Sequence, residues 1–272
     1  MKVYIVCDIE GTAGVVDARL QCSFDLEKEW FGPYYEQARR LATLELNAAV
    51  QGSLDAGASE VWAWDGHCGF PGSLDVELLH PECRLVMGAG DGGPVGLDRG
   101  FDALLMVGLH GMYGAEYGRL AHSFWPGIRG LWVNGTKWGE IAANAWEAGQ
   151  HGVPVIHLVG DLAACREVNA LIPGVSTTCV KEGMTPHSLH TGQAPTLTMS
   201  PAKAREDIQA GVSAGLKGPE RPSSFHVEPP YEIRTQFESE KLTDWMMEHH
   251  EGLARIDETT VGYGGDAFRL VL

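Results

Sequence analysis

The chain has 272 residues, of which 44% are hydrophobic and 21% charged, which is ordinary for a globular protein able to bury a sizeable core. Its formal net charge of −16 would repel a phosphate backbone, so nucleic acid is not an expected partner. No segment approaches the ~20 apolar residues of a membrane span, and the apolar run Met1–Cys7 is too short for a signal-peptide core. We therefore expect a cytoplasmic protein with no membrane partner.

The cysteines are scattered, and no two of them form a C-x-x-C pair. They stand at positions 7, 22, 68, 83, 165 and 179. This spacing argues against a zinc ribbon, a thioredoxin-like motif and a secreted disulfide framework. We expect most of them to be small buried hydrophobic residues.

Short apolar runs that end in Gly, Asp or His predict buried strands along the first two thirds of the chain. The predicted strands are Lys2–Cys7, Val61–Trp64, Ala103–Val107, Val155–Val159 and, from a weaker pattern, Val175–Val180. Helical patterns lie between them. Apolar residues recur at helical spacing from Pro33 to Ala56, with Pro33 in a favoured first-turn position and Gly57 just past the end, and 139–149 repeats this pattern. The alternation predicts an α/β fold with a mostly parallel central sheet and helices on both faces.

The composition changes about two thirds of the way along the chain. Glu182–Ser200 is rich in Gly, Pro, His, Ser and Thr and is interpreted as a loop, Pro201–Leu216 as a helix, and Tyr231–Phe237 as a short alternating strand. We predict an α/β metal-binding catalytic core in residues 1–181. Residues 182–272 would form a smaller C-terminal subdomain that completes the fold and contributes oligomer contacts.

Acidic residues and histidines follow four of the predicted strands. They are Asp8 and Glu10 after the first, Asp65 and His67 after the second, His110 after the third, and Asp161 after the fourth. In open α/β sheets, ligands bind beyond the carboxyl ends of the strands. One acid there is commonplace because Asp caps helices well, but two carboxylates and two imidazoles at three such ends are typical of a metal site.

Asp8 and Glu10 are two residues apart, so in extended chain their side chains leave the same face and can reach one cation. A dication would relieve the repulsion between two such carboxylates. The alternative is that Asp8 caps a turn and Glu10 is solvated.

Two histidines lie beside glycines that permit close approach to a ligand. His67 lies in a glycine-rich turn and His110 follows Gly108. Taken singly, each is more often a structural histidine than a ligand. Cys68 is a possible zinc thiolate, but we rank it as a packing residue because its side chain should diverge from that of His67.

Glu140 and His122 complete the set of candidates. Asn134-Gly135 predicts a hairpin, after which Glu140 would open a helix, where it is either a ligand or a carboxylate favoured by the helix dipole. His122 is a candidate to donate a proton or stabilise an oxyanion, and the alternative is a surface position.

Other motifs are absent or incomplete in the sequence. Residues 88–93 match G-x-G-x-x-G, but Pro94 and Gly96 follow where a helix should begin, so we interpret the segment as a turn-rich loop. The sequence contains no Walker A lysine motif, no G-x-S-x-G elbow and no H-E-x-x-H motif.

Five short motifs, in this order, resemble those of the M55 family of D-aminopeptidases. They are Asp8-Ile9-Glu10-Gly11, Asp65-Gly66-His67, Gly108-Leu109-His110, His122-Ser123 and the stretch from Asn134-Gly135 to Gly139-Glu140. The likeness covers about two thirds of the chain, whereas the stretch between His110 and His122 and the region 222–272 depart from the family pattern. These two departures bear on substrate specificity and on the geometry of the assembly.

The resemblance implies a dinuclear zinc site, with Mn²⁺ or Co²⁺ as possible substitutes. The implied ligands are Asp8, Glu10, His67, His110 and Glu140, with Asp8 shared between the ions, and His122 is the implied catalytic side chain. The implied assembly is a homo-oligomer, a decamer of two stacked pentameric rings.

The implied activity is that of an aminopeptidase, which uses a metal-activated water to remove the N-terminal residue of short peptides, including D-Ala peptides. Asp161 is a candidate carboxylate to lie near the amino group of the substrate. The residues themselves do not show whether a D- or an L-residue is preferred. The alternatives are another dinuclear hydrolase such as a phosphoesterase, disfavoured because no Arg or Lys cluster accompanies the ligands, and a small-molecule-binding α/β protein.

Overall fold

The computed structural model describes residues 1–25, 27–67, 72–88, 93–186 and 194–272. The strands are β1 (Lys2–Cys7), β2 (Phe24–Asp25), β3 (Trp30–Phe31), β4 (Glu60–Asp65), β5 (Cys83–Val86), β6 (Ala103–Leu109), β7 (Ile128–Val133), β8 (Thr136–Trp138), β9 (Val155–Asp161), β10 (Ser176–Gly183), β11 (Thr196–Thr198), β12 (Tyr231–Phe237), β13 (Ala254–Arg255) and β14 (Thr260–Gly265). The helices are α1 (Tyr35–Asp55), α2 (Glu140–Gln150), α3 (Leu162–Leu171), α4 (Pro201–Lys217) and α5 (Glu240–His249).

The main sheet has the strand order β11-β10-β9-β6-β1-β4-β5. Every neighbouring pair in it is parallel except β10 and β11, which confirms the predicted mostly parallel sheet. Alternate residues of β1 pack on opposite faces: Val3 and Ile5 join α1 and α4, whereas Tyr4 and Val6 join α2 and α3. Helices cover both faces, which is why the central strands are almost wholly apolar.

The predicted elements agree with the structure except at some ends. The hairpin at Asn134-Gly135 is confirmed: it joins β7 to β8, and both residues have positive φ, 49° and 80°. The first-turn position of Pro33 is wrong, because α1 begins at Tyr35. The loop interpretation of Glu182–Ser200 is also wrong at its ends, where β10 continues to Gly183 and pairs with β11; residues 187–193 lie outside the described part.

A second sheet, of order β13-β14-β12-β7-β8, lies beside the main sheet's α2 side. It joins β7 and β8 to strands from the C-terminal region, so residues 182–272 complete a sheet that begins earlier in the chain. The same region supplies α4, which packs against α1 on the main sheet. None of the helices in the described ranges is long and apolar enough to span a membrane.

Candidate metal centre

The carboxyl ends of β1, β4 and β6 meet at one edge of the main sheet, and four predicted ligands lie there. Nδ1 of His67 is 3.2 Å from Oδ1 of Asp8 and 3.0 Å from Oε2 of Glu10. Nε2 of His110 is 3.5 Å from Oδ2 of Asp8. The two oxygens of Asp8 therefore face two different imidazoles, with Asp8 at the middle of the cluster.

The first turn of α2 closes the other side of the cluster. Oε1 of Glu140 lies 3.5 Å from Nε2 of His110 and 3.9 Å from Nε2 of His122. The rings of His110 and His122 stack with centroids 4.1 Å apart and planes 11° apart. Oε1 of Glu140 also accepts a hydrogen bond from the backbone N–H of Phe124, which ties the segment that carries His122 to α2.

Asp8 and Glu10 reach the cluster from a turn. β1 ends at Cys7, so the expectation that these carboxylates share a face of extended chain is wrong, although both do converge on His67. The turn lies directly against β6: a Cβ on Gly108, whose φ is +76°, would lie 2.1 Å from the carbonyl oxygen of Asp8. Glycine is therefore required at position 108 for this close approach.

Each of the three imidazoles is oriented by a backbone carbonyl. Nε2 of His67 lies 2.8 Å from the carbonyl of Cys22, Nδ1 of His110 3.1 Å from that of Gly111, and Nδ1 of His122 2.9 Å from that of Leu120. A neutral imidazole that donates to such a carbonyl presents the lone pair of its other nitrogen, and here that nitrogen faces carboxylate oxygens. Metal-binding histidines are typically oriented in this way.

The charges of the cluster are tightly linked. Burial alone would raise the pKa of Asp8, but the close imidazoles of His110 and His67 and their charge hold it well below its usual range. Burial would lower the pKa of His110, yet Glu140 and Asp8 raise it well above its ordinary value. The pKa of Glu140 is lowered in turn, because His110 outweighs its burial. The ionised forms of Asp8 and Glu140 are thus favoured by positive charge beside them.

The residues present fit a divalent cation. Within the described residues, Oε2 of Glu10 and Nε2 of His110 are buried and make no hydrogen bond, although Nδ1 of His67 lies 3.0 Å from the first and Oδ2 of Asp8 lies 3.5 Å from the second. Potential ligand atoms fall within 4.8 Å of one another in two groups, Asp8–Glu10–His110 and His110–His122–Glu140. Carboxylate oxygens and imidazole nitrogens form a donor set that zinc accepts. Grouping His122 with potential ligands goes beyond the sequence analysis, which gave it a catalytic role.

The remaining candidates lie away from the cluster's ligand atoms. Asp65 accepts hydrogen bonds from the backbone N–H and hydroxyl of Ser73 and thereby fixes the loop after β4. Asp161 caps α3 by accepting from the N–H of Ala164, and its other oxygen accepts from the N–H of Arg119. Both carboxylates are occupied by structural hydrogen bonds, and Cys68 lies outside the described residues.

Sequence reasoning missed Lys181, which is 3% exposed and whose Nζ donates to backbone carbonyls of the turn that carries Glu10. On a strand, one lysine normally indicates a solvated face. Burial of Lys181 could have been suspected from its position directly after the apolar run that ends at Val180. A register shift in β10 at this point leaves Val180 and Lys181 both buried.

Known proteins are similar to this chain in sequence and in fold. The sequence model of the M55 peptidase family, D-aminopeptidase, matches residues 1–272. A D-aminopeptidase of Bacillus subtilis (strain 168) is 33% identical over 208 residues, which cover 75% of this chain and 69% of the relative. The solved structure of the Zn-dependent D-aminopeptidase DppA from Bacillus subtilis, a self-compartmentalizing protease, superposes with a TM-score of 0.82 at 26% identity, covering 98% of this chain and 92% of that one.

Proposed function

Since this chain belongs to the M55 family of D-aminopeptidases, we propose that it is a zinc-dependent aminopeptidase that removes the N-terminal residue of short peptides, including those that begin with a D-amino acid. The observation that carries the proposal is the cluster itself. Three imidazoles, each oriented by a backbone carbonyl, face the buried carboxylates of Asp8 and Glu10 and the partly buried carboxylate of Glu140 at the carboxyl edge of the sheet.

We assign two zinc ions per subunit to this cluster, with Mn²⁺ or Co²⁺ as possible substitutes. Asp8, Glu10 and His67 would hold one ion, and Asp8, His110 and Glu140 the other. The opposed directions of the two Asp8 oxygens support its role as the shared ligand. His67 contacts Asp8 and Glu10, whereas His110 contacts Asp8 and Glu140. This division of the carboxylates between two imidazoles supports two ions rather than one.

When bound, zinc supplies a Lewis acid for the scissile carbonyl and lowers the pKa of water toward 7. His122 is the proposed catalytic side chain. Its Nδ1 is fixed by the carbonyl of Leu120, and its side chain, 14% exposed, is more accessible than those of His110 and His67. These two observations support Nε2 of His122 as the atom that would hold or transfer a proton at the substrate.

The self-compartmentalizing character of DppA supports a homo-oligomer for this chain too. We propose a decamer of two pentameric rings in the cytoplasm. Mass measurement of the native protein by light scattering tests the assembly: a mass near ten times 29.4 kDa is expected, and a monomer would contradict it.

Elemental analysis of protein purified without chelator, paired with hydrolysis of D-Ala and L-Ala p-nitroanilides, tests the activity. Zinc near two per subunit and cleavage of the D-substrate are expected. Cleavage of p-nitrophenyl phosphate instead would establish a phosphoesterase. Absence of metal and of cleavage, even after zinc reconstitution, would contradict both enzyme functions and leave a binding protein.

A further inference from the structure

A cavity of about 640 Å³ opens directly beside the metal centre. Asp8, the proposed shared ligand, and Glu140, a proposed ligand of one ion, form part of its lining. The cavity then follows one stripe of α2, where Glu140, Ala143, Asn144 and Glu147 recur at helical spacing. The seven helical steps from Glu140 to Glu147 correspond to about 10.5 Å, so the cavity is long enough to receive a side chain attached to a peptide held at the metal centre.

Much of the cavity wall is aromatic or aliphatic. Its apolar lining includes Trp64, Leu109, Phe124, Trp146, Phe268 and Leu270. Trp146 stacks on Phe268 with ring centroids 3.7 Å apart, so these two rings form one continuous apolar surface. An aliphatic or aromatic side chain that enters this cavity leaves water for an apolar surface, which favours its binding.

Three contacts hold the part of the wall formed by residues 268–272 in place. Phe268 packs edge-on against Tyr231, with centroids 5.2 Å apart. The carbonyl of Val271 accepts a hydrogen bond of 2.7 Å from the hydroxyl of Thr235, and Nη1 of Arg269 donates to the carbonyl of Glu251 at 2.7 Å. The segment therefore presents a formed surface to the cavity.

Along the α2 stripe, the charged residues Glu140 and Glu147 lie at the two ends, and Glu140 is at the metal centre. Glu147 lies beside His151, and Arg269 lies beside His250. Between the two glutamates the stripe presents Ala143 and the uncharged side chain of Asn144. A charged substrate side chain would therefore meet no group of opposite charge on this part of the stripe.

We infer that this cavity binds the side chain of the substrate's N-terminal residue and that the enzyme prefers bulky aliphatic or aromatic residues to alanine at this position. The inference rests on the proposed aminopeptidase function. Each buried methylene favours binding, and a leucine side chain adds three carbons to that of alanine. We expect kcat/KM to rise at least tenfold from D-Ala to D-Leu p-nitroanilide, within the range that hydrophobic pockets achieve.

Steady-state kinetics of the zinc-loaded enzyme on D-Ala, D-Leu and D-Phe p-nitroanilides test the inference. Ala143→Leu fills the middle of the cavity and is expected to reduce the D-Leu to D-Ala ratio of kcat/KM at least fivefold. The matched control is Ala210→Leu, on the exposed surface of α4, which should keep the wild-type ratio. Leu270→Ala removes apolar wall without filling space and should lower the D-Leu value more than the D-Ala value.

A second measurement does not depend on turnover. Competitive inhibition or calorimetric binding of the free amino acids should show D-Leu binding more tightly than D-Ala to the wild type, and this difference should shrink in Ala143→Leu. Equal or better cleavage of D-Ala by the wild type, or an equal loss for both substrates in folded Ala143→Leu, would overturn the cavity inference and leave the aminopeptidase proposal intact. Failure to cleave any of the p-nitroanilides would instead overturn the proposed function.

Discussion

The side chain of Lys181 donates a hydrogen bond to the backbone carbonyl of Glu10, although two strands separate β10 from β1 in the sheet. The same Nζ donates to the carbonyls of Thr12, at 3.1 Å, and Val15. Burial lowers the pKa of Lys181, and its neighbouring acids oppose that effect. A buried ammonium needs an acceptor for each of its three N–H groups, and here the turn that carries Glu10 supplies them.

Lys181→Met should weaken zinc binding, because the turn that presents Glu10 loses the ammonium group that donates to three of its backbone carbonyls. Groups that orient metal ligands typically contribute 10–100-fold in affinity, so we expect a loss of about tenfold or more. Competition with a chromogenic chelator, well below the melting temperature, measures it. Lys203→Met, which removes an exposed lysine from α4, is the control and should bind zinc normally. Unchanged affinity in folded Lys181→Met would contradict the positioning role.

Gly108→Ala should destabilise the protein far more than Gly135→Ala. Both glycines have positive φ, +76° and +80°. A Cβ at 135 has no atom of the described residues within 4 Å, whereas one at 108 would strike the carbonyl oxygen of Asp8. In both variants the strained backbone of an alanine with positive φ costs about 1 kcal/mol of stability. In Gly108→Ala the displacement of Asp8 adds to this cost. Urea unfolding of the metal-free variants gives both free energies. Equal losses of unfolding free energy in the two variants would show that the close approach of Asp8 to Gly108 does not contribute to stability.

His67→Ala and His122→Ala should separate metal binding from proton transfer. The first variant removes a proposed ligand, so zinc per subunit should fall and activity disappear. The second should retain zinc while kcat falls by about 10²–10⁴-fold, the usual contribution of a general acid or base. Elemental analysis and kinetics on the same preparations provide the comparison. Loss of zinc from His122→Ala would make His122 a ligand instead.

Stability should fall below neutral pH partly through His157, which is buried on β9 between the hydroxyls of Ser176 and Thr178. Burial lowers the pKa of His157 to about 4, whereas the unfolded chain titrates near its ordinary 6.5. Between these values only the unfolded state binds the proton, so this contribution is complete above pH 6.5 and is lost as the pH falls toward 4. The difference corresponds to about 3 kcal/mol.

Unfolding free energies of metal-free wild type and His157→Gln, measured from pH 7.5 to 4, isolate this contribution. The variant should be less stable at neutral pH but lose less stability on acidification. Parallel pH curves for the two proteins would exclude His157 as the source of the dependence.

Local patterns identified several elements because their physical causes are local. Tyr231–Phe237 coincides with β12, since alternate burial on a half-covered sheet appears directly in the sequence. The end of α1 is marked by Gly57, whose φ is +86°. The start of α1 was misplaced at Pro33 because proline is accepted both in the first turn and just before it.

The ligand cluster could be predicted because parallel strands bring their carboxyl ends to one edge, so residues that follow strands tend to meet. The same reasoning could not identify Lys181 or separate Asp161 from the cluster. An Asp after a strand is suited equally to a ligand and to a helix cap, and only the N–H groups of Ala164 and Arg119 show that it serves the backbone. The cavity was equally hidden, because its wall joins α2 to Phe268 across more than a hundred residues.

The sequence by itself determined the alternating elements, the apolar central strands and the chemical types gathered at the strand ends, because periodicity and residue type are properties of neighbouring positions. The tertiary structure alone decided which atoms face one another. The two directions of the Asp8 carboxylate, the carbonyls that orient each imidazole and the buried ammonium beneath Glu10 depend on contacts between distant segments. Those contacts form only when burial of the apolar faces fixes the strand order.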